Sequence, residues 1–326
     1  MFAVPDRPAN STRSPLAMQR RMTVVRDEPL LAYLFRALGL QRTKVRNLLK
    51  HGAVAVNGAP VRQFDHPLAP GDQVVVSDLR AAAAATGLES ARIRRVYEDD
   101  ALIVLDKPPG LLTVATEHDK IDTLFHRLNE YLKERDSDPA AHPFVVHRLD
   151  HGTSGLVLFA KSAEIKERLQ DNWSKVRKTY WAVVEGEPRS SRGTINSYLT
   201  ESKSYKVYSS DRPTPDSRQA ITDYRLLQSR EGLSLLEVQL KTGRKHQIRV
   251  HLAGLGHPVA GDHRYGSKSD PCGRLALHAA ALMLEHPLTG ATLNLASPLP
   301  KTFGKLFPDF RRRSERNAEV GPAGDP

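Results

Sequence analysis

A chain of 326 residues is long enough for about two domains, and 40% hydrophobic residues can fill ordinary cores. Lysine and arginine number 48 against 37 acidic residues, a net charge of +11 that suits a phosphate-rich partner and disfavours an acidic metabolite. Cys272 is the single cysteine, which excludes an intrachain disulfide and a thiolate-rich zinc cage and fits a reducing compartment; with no run near the ~18 apolar residues of a membrane span, a cytoplasmic protein is expected.

Residues 1–25 carry several arginines with only Asp6 acidic, but Pro5, Pro8 and Pro15 would break the helix of a transit peptide, so the stretch reads as a disordered leader. Leu30, Leu31, Leu34, Phe35 and Leu38 recur at helical spacing, and Gly39 supplies a stop. A second helix is expected over 42–50. Val45, Leu48 and Leu49 form its buried side, while Arg42, Arg46 and Lys50 recur every four residues as a cationic stripe. A merely solvated face would show the same spacing. Ala53 to Val56 reads as a strand, Asn57-Gly58 as a tight turn, Leu68 to Asp72 as another turn, and Gln73 to Val76 as a second strand. Residues 26–80 thus form one small helix-helix-strand module.

Residues 81–91, rich in alanine, read as a linker, 92–308 as the body, and 309–326, Arg-rich and then Gly- and Pro-rich, as a disordered tail. Strand-like runs at 101–105, 144–146, 156–160, 180–184, 221–227, 233–240 and 275–284 alternate with helical stretches near 120–134, 162–172 and 245–255. Strands outnumber helices without a regular βαβ rhythm. The expected class is α+β, with a mixed or largely antiparallel sheet in the body.

The most informative stretch is His147-Arg148-Leu149-Asp150-His151-Gly152-Thr153-Ser154-Gly155, followed by the apolar Leu156 to Ala160. It sets one carboxylate between a cation and a small-residue turn that enters a strand, a placement that offers the carboxylate to a cleft. A lone aspartate on a turn is otherwise a turn or capping residue. The chain has 13 histidines, but His246 and His251 are five apart and do not share a helix face, and no His-Glu-x-x-His occurs, so no metal is expected. His147, His246 and His251 read as structural hydrogen-bonding residues. Lys107-Pro108-Pro109-Gly110 reads as a rigid turn and lacks the glycines of a phosphate loop.

This stretch resembles the active-site motif of the RluA-type RNA pseudouridine synthases. Further blocks resemble the same family in the same order: Lys178-x-Tyr180-x-Ala182-Val183-Val184-x-Gly186, Thr242-Gly243-Arg244-Lys245-His246-Gln247-Ile248-Arg249-Val250-His251, Gly256-His257-Pro258-x-x-Gly261-Asp262-x-x-Tyr265-Gly266, Leu277-His278-Ala279 and His286 to Gly290. The N-terminal order of helix, basic helix, Val-x-Val-Asn-Gly, Pro-Gly-Asp and valine strand is similar to a small RNA-binding module named after a ribosomal small-subunit protein.

The resemblance implies isomerisation of uridine to pseudouridine in structured RNA, ribosomal or transfer, with no cofactor. It implies Asp150 as the catalytic carboxylate, acting as nucleophile or base, because an ordinary aspartate pKa of ~3.9 leaves it charged near neutrality. Arg249 matches the family's cationic partner for that charge, Tyr180 its uracil platform, and Arg148 the arginine that enters the RNA stack where the target base leaves. Arg244 and Lys245, with Arg42, Arg46 and Lys50, are the expected RNA contacts. The expected protein is a monomer. Lys245 stands where many members carry a small hydroxyl residue, and Ser217-Arg218-Gln219 replaces their Gly-Lys, which bears on substrate choice. Two rival readings are a non-catalytic RNA-binding or ribosome-assembly protein on the same fold, and a glycosidase, for which Asp150 lacks a motif-borne acidic partner.

Overall fold

A computed structural model describes residues 20–40, 45–46, 48–49, 52–77, 88, 93–116, 122–136 and 140–310. The chain divides into two compact units, residues 1–87 and 88–326.

In the first unit, β1 (Arg20–Thr23), β3 (Val54–Val56), β4 (Ala59–Pro60) and β6 (Gln73–Val76) form an antiparallel sheet in the order β1-β6-β3-β4, while β2 (Glu28–Pro29) pairs with β5 (Pro67–Leu68). Helix α1 (Leu30–Leu38) buries Leu30, Tyr33 and Leu34, the i, i+3, i+4 face, and stops at Gly39, which takes the left-handed conformation at φ 62°. Val45, Leu48 and Leu49 are helical and buried in the same core, and Arg46 beside them is exposed; Arg42 and Lys50, the other members of the expected stripe, lie outside the described residues. The expected leader ends too late. Residues 20–23 are a strand on β6 and Val24 is 1% exposed in the core, because backbone pairing with Val74 to Val76 needs no hydrophobic pattern in the Arg20–Thr23 strand itself.

The second unit is built on one large sheet ordered β13-β12-β14-β15-β11-β16-β10-β8-β7, with β9 (Phe144–Val145) on β10 and β17 (Thr292–Ala296) on β16. Its strands are β7 (Arg94–Glu98), β8 (Leu102–Lys107), β10 (Ser154–Ala160), β11 (Arg177–Glu185), β12 (Arg192–Glu201), β13 (Val207–Ser210), β14 (Arg218–Arg230), β15 (Leu233–Leu240) and β16 (Leu277–Glu285). Only β10 and β16 run parallel among the described strands of this sheet, so the sheet is mixed and mostly antiparallel, as the α+β reading expects. Helices α2 (Leu124–Asp136), α3 (Ala163–Asp171), α4 (Gln247–Gly254) and α5 (Lys301–Leu306) complete the unit, with Ser162 capping α3 through its hydroxyl. The expected linker and tail were each drawn too long. Leu88 is 6% exposed and Phe310 packs on the same core, where large apolar groups at both ends of the unit outweigh their polar surroundings in the sequence.

The parallel step between β10 and β16 fixes the end of the aspartate turn. Gly155 lies opposite Ala279 at φ 109°, and a Cβ built there would come within 2.2 Å of the Ala279 carbonyl oxygen. Only glycine allows this approach. Gly155→Ala is therefore expected to destabilise the unit by about 4 kcal/mol or more, read as a melting temperature roughly 10 °C lower. A variant melting with the parent would show that the strands do not meet this closely.

Candidate active site

Asp150 sits on a turn whose backbone is tied on every side. Leu149 both donates to and accepts from the Thr113 hydroxyl, at 3.1 and 2.9 Å, and Thr153 N–H donates to the Asp150 carbonyl at 3.1 Å. The next carbonyl, that of His151, accepts from Gly110 N–H at 2.9 Å and from the Lys107 ammonium at 3.3 Å. Lys107 is fully buried and also donates to the carbonyls of Leu111 and Pro108, so its three N–H groups are spent on three carbonyls. Burial pulls its pKa down to about 7, against the attraction of Asp150. These ties hold the carboxylate's backbone in place before any substrate arrives.

The carboxylate itself meets Arg249 of α4: Nη1 donates to Asp150 Oδ2 at 3.0 Å. The other side of the guanidinium is gripped by Asp262, which accepts from Nε at 2.6 Å and from Nη2 at 2.8 Å in a two-pronged pair. Asp262 is buried, with a side chain 2% exposed, whereas that of Asp150 is 29% exposed and open to the cleft. Burial alone would lower the Arg249 pKa; the hydrogen bonds and charge of Asp262, joined by Asp150, outweigh it and hold the pKa above the ordinary value. Arg249 also lies over the Tyr265 ring, 5.0 Å from its centroid. Tyr265 Oη in turn meets His246 Nδ1 at 2.8 Å, and His246 Nε2 is 3.8 Å from Asp150 Oδ2. His246 holds a left-handed backbone, φ 54°, at the start of α4, a conformation uncommon for a residue with a side chain. The loop leading to it is folded around Gln247, whose side-chain oxygen accepts from Thr242 Oγ1 and Arg244 N–H while its nitrogen donates to the Ile221 carbonyl.

Beside this cluster opens a cavity of about 330 Å³, lined by Asp150, Arg249, His246, Tyr180, Lys178 and Trp173 among others. Tyr180 comes from β11, in the middle of the sheet, and is 9% exposed. Burial, and then the charge of Asp150, push its phenol above the usual tyrosine range, so it stays protonated at neutral pH. Leu149, Ile248 and Leu277 supply apolar wall. The site can thus offer a carboxylate held by a fixed guanidinium next to a flat aromatic face in a half-buried slot.

A family model described as RNA pseudouridylate synthase matches residues 101–254, and one described as S4 domain matches residues 28–74. An uncharacterised RNA pseudouridine synthase of Bacillus subtilis is 34% identical over 83% of this chain and 90% of its own length. The chain belongs to the RNA pseudouridine synthase family. It is an isomerase that converts uridine in RNA to pseudouridine, preceded by an S4 domain. A protein of Xanthomonas campestris named ribosomal large subunit pseudouridine synthase D is 31% identical over 96% of this chain and 99% of its own length. Among solved structures, human RNA pseudouridylate synthase domain containing 4 superposes with a TM-score of 0.56 at 27% identity, covering 71% of this chain and 95% of that one.

Within this synthase, Asp150, Tyr180 and Arg249, expected together from the sequence, do meet around one cavity. Arg148 and Arg244 line it as well and are exposed. Lys245 is engaged: it pairs with Glu201 and lies over the Tyr205 ring, 5.1 Å from the centroid. His147 and His251 are structural, as read. His147 Nε2 accepts from Leu158 N–H at 3.0 Å and burial lowers its pKa to about 3; His251 bridges Ser197 and Thr222 and is lowered to about 4 by burial. Sequence reasoning missed Asp262, Lys107 and the closeness of His246 to Asp150. The signal for Asp262 was its place beside Gly261, whose φ of 78° and Cβ position 2.2 Å from the Arg274 carbonyl demand glycine.

Proposed function

We propose that this synthase modifies uridine in ribosomal RNA, with Asp150 as the catalytic carboxylate, and that it acts as a cytoplasmic monomer. The observation that carries the catalytic part is the 3.0 Å contact between Asp150 and an Arg249 clamped from behind by Asp262. The guanidinium holds the carboxylate through a charge-assisted hydrogen bond and so positions it to act on the anomeric carbon as nucleophile or base. Tyr180 gives the uracil a stacking face, and its protonated phenol can pass a proton while the base is detached. A uridine within folded RNA hides its glycosidic bond, so the nucleotide is extruded into the cavity, and the cost of a few kcal/mol is offset by stacking and basic contacts. Arg148 and Arg244 at the cavity, Lys245, and the S4 residues Arg42, Arg46 and Lys50 make those contacts. Ribosomal RNA is favoured by the S4 domain and by the likeness to the Xanthomonas protein along nearly the whole chain.

Unmodified ribosomal and transfer RNA transcripts, incubated separately with the enzyme, test the substrate. Pseudouridine should accumulate in the ribosomal transcripts; accumulation in transfer RNA alone would reject ribosomal RNA. Tyr180→Phe keeps the ring and loses the hydroxyl, so single-turnover chemistry is expected to slow about 100-fold while RNA affinity is kept. Equal losses in rate and affinity would make Tyr180 a structural residue.

A further inference from the structure

Lys178 is a buried cation in the wall of the catalytic cavity that meets no anion among the described residues. It is 5% exposed and stands two residues before Tyr180 on β11, so the two side chains leave the same face of the strand and line the same cavity. Two strand residues span roughly 6.6 Å, about the width of a uracil with its carbonyl oxygens. The Lys178 ammonium donates one hydrogen bond, to the Trp173 carbonyl at 3.0 Å, and lies 5.4 Å from the centroid of the Trp173 ring. An ammonium has three N–H donors, so two are left to spend. Among the described residues no carboxylate is within ion-pair range, and burial without an opposing anion lowers its pKa. Nearby His147 is neutral.

The other cations of the cavity are differently placed. Arg249 is shared between Asp150 and Asp262, two carboxylates on one guanidinium, and Arg148 and Arg244 are exposed. Lys107, the other deeply buried lysine, spends its three N–H groups on the carbonyls of Pro108, Leu111 and His151 and does not line the cavity, so among the described residues Lys178 is the buried cation of the cavity wall with donors left for a ligand. Burying an unpaired ammonium is costly, and such a group gains most from a ligand that brings negative charge or strong acceptors to it.

The reaction generates that charge. When the bond between N1 of uracil and the anomeric carbon breaks, its electron pair stays with the base, and the negative charge spreads over N1 and the two carbonyl oxygens. The base turns over, C5 returns the pair to the anomeric carbon, C5 loses its proton and N1 takes one. Atoms and charge balance without an added reactant. We propose that Lys178 touches the substrate, donating hydrogen bonds to a uracil carbonyl oxygen and stabilising the detached, negatively charged base while it turns. Lys178 transfers no proton; it supplies fixed positive charge where charge develops. This rests on the family reaction and adds a residue to it.

The test uses the full-length parent, Lys178→Met, Lys178→Arg and Lys178→Ala, total RNA from cells lacking the gene, and enzyme in excess. Lys178→Met keeps an unbranched apolar side chain without the charge and is expected to lose about 100-fold or more in single-turnover rate, with RNA affinity and melting temperature near the parent's. Lys178→Arg should recover part of the rate. Butylammonium ion should restore Lys178→Ala in proportion to its concentration, and butanol should not. Lys178→Met turning over at the parent's rate would overturn the proposal. So would a loss of rate matched by a loss of melting temperature and unmoved by butylammonium, which would reduce Lys178 to a tie on the Trp173 carbonyl. A parent that forms no pseudouridine in total RNA would instead count against the reaction itself.

Discussion

Asp150→Asn is expected to abolish pseudouridine formation, by about 10⁴-fold or more, while RNA affinity and melting temperature stay near the parent's. Asparagine keeps the size of the side chain and an oxygen for Arg249, but it has neither the charge to attack the anomeric carbon nor the basicity to take a proton. The fold does not depend on that charge. Asp150 is the more open of the two carboxylates on Arg249, and its turn is held through backbone groups by Thr113, Gly110 and Lys107. Arg249 would keep its two bonds to Asp262 in the variant. Single-turnover assays with saturating RNA, run beside binding and melting curves, check this. Turnover close to the parent's would remove Asp150 from the mechanism.

Arg249→Met should combine two losses that Asp150→Asn separates. It removes the hydrogen bond and the charge that position Asp150, so catalysis is expected to fall about 100-fold or more. It also strands Asp262, whose side chain is 2% exposed and whose two contacts to Arg249 vanish together. An uncompensated buried carboxylate costs about 3–5 kcal/mol, so the variant should melt well below the parent. Adding Asp262→Leu to Arg249→Met removes the stranded charge and is expected to return much of the lost stability and none of the lost activity. A single Arg249→Met variant as stable as the parent would mean that Asp262 finds another partner. Restored activity in the double variant would mean that Arg249 serves the fold alone.

Much of this was legible in the sequence because the informative residues sit in local patterns. The turn from Asp150 to Gly155 runs straight into a fully buried strand, Leu156 to Ala160, and the spacing of Leu30 and Leu34 before Gly39 defines α1 and its stop. Less legible were elements whose signal is tertiary. β12 alternates between exposed and half-buried residues over the first half of Arg192–Glu201 and buries only Ser197 and Leu199 in the second, so its hydrophobic period is faint, and β1 is held mainly by pairing with β6. The same reason hid parts of the site. Asp262 grips Arg249 from thirteen positions away through a turn that ends in a three-residue helix, His263–Tyr265, and nothing in its neighbours says which cation it meets. Lys107 read as part of a rigid turn because its burial depends on three carbonyls, two of them local and one contributed by His151. The linker and tail were drawn too long for the simplest cause: single large side chains, Leu88 and Phe310, reach back to the core from polar stretches.

Pseudouridine mapping at single-nucleotide resolution in ribosomal RNA tests the proposal most directly, in cells lacking the gene that are given back either the parent or Asp150→Asn. At least one ribosomal position should lose its pseudouridine on deletion, regain it with the parent and remain uridine with Asp150→Asn. Unchanged ribosomal RNA on deletion, or restoration of the lost position by Asp150→Asn, would contradict it.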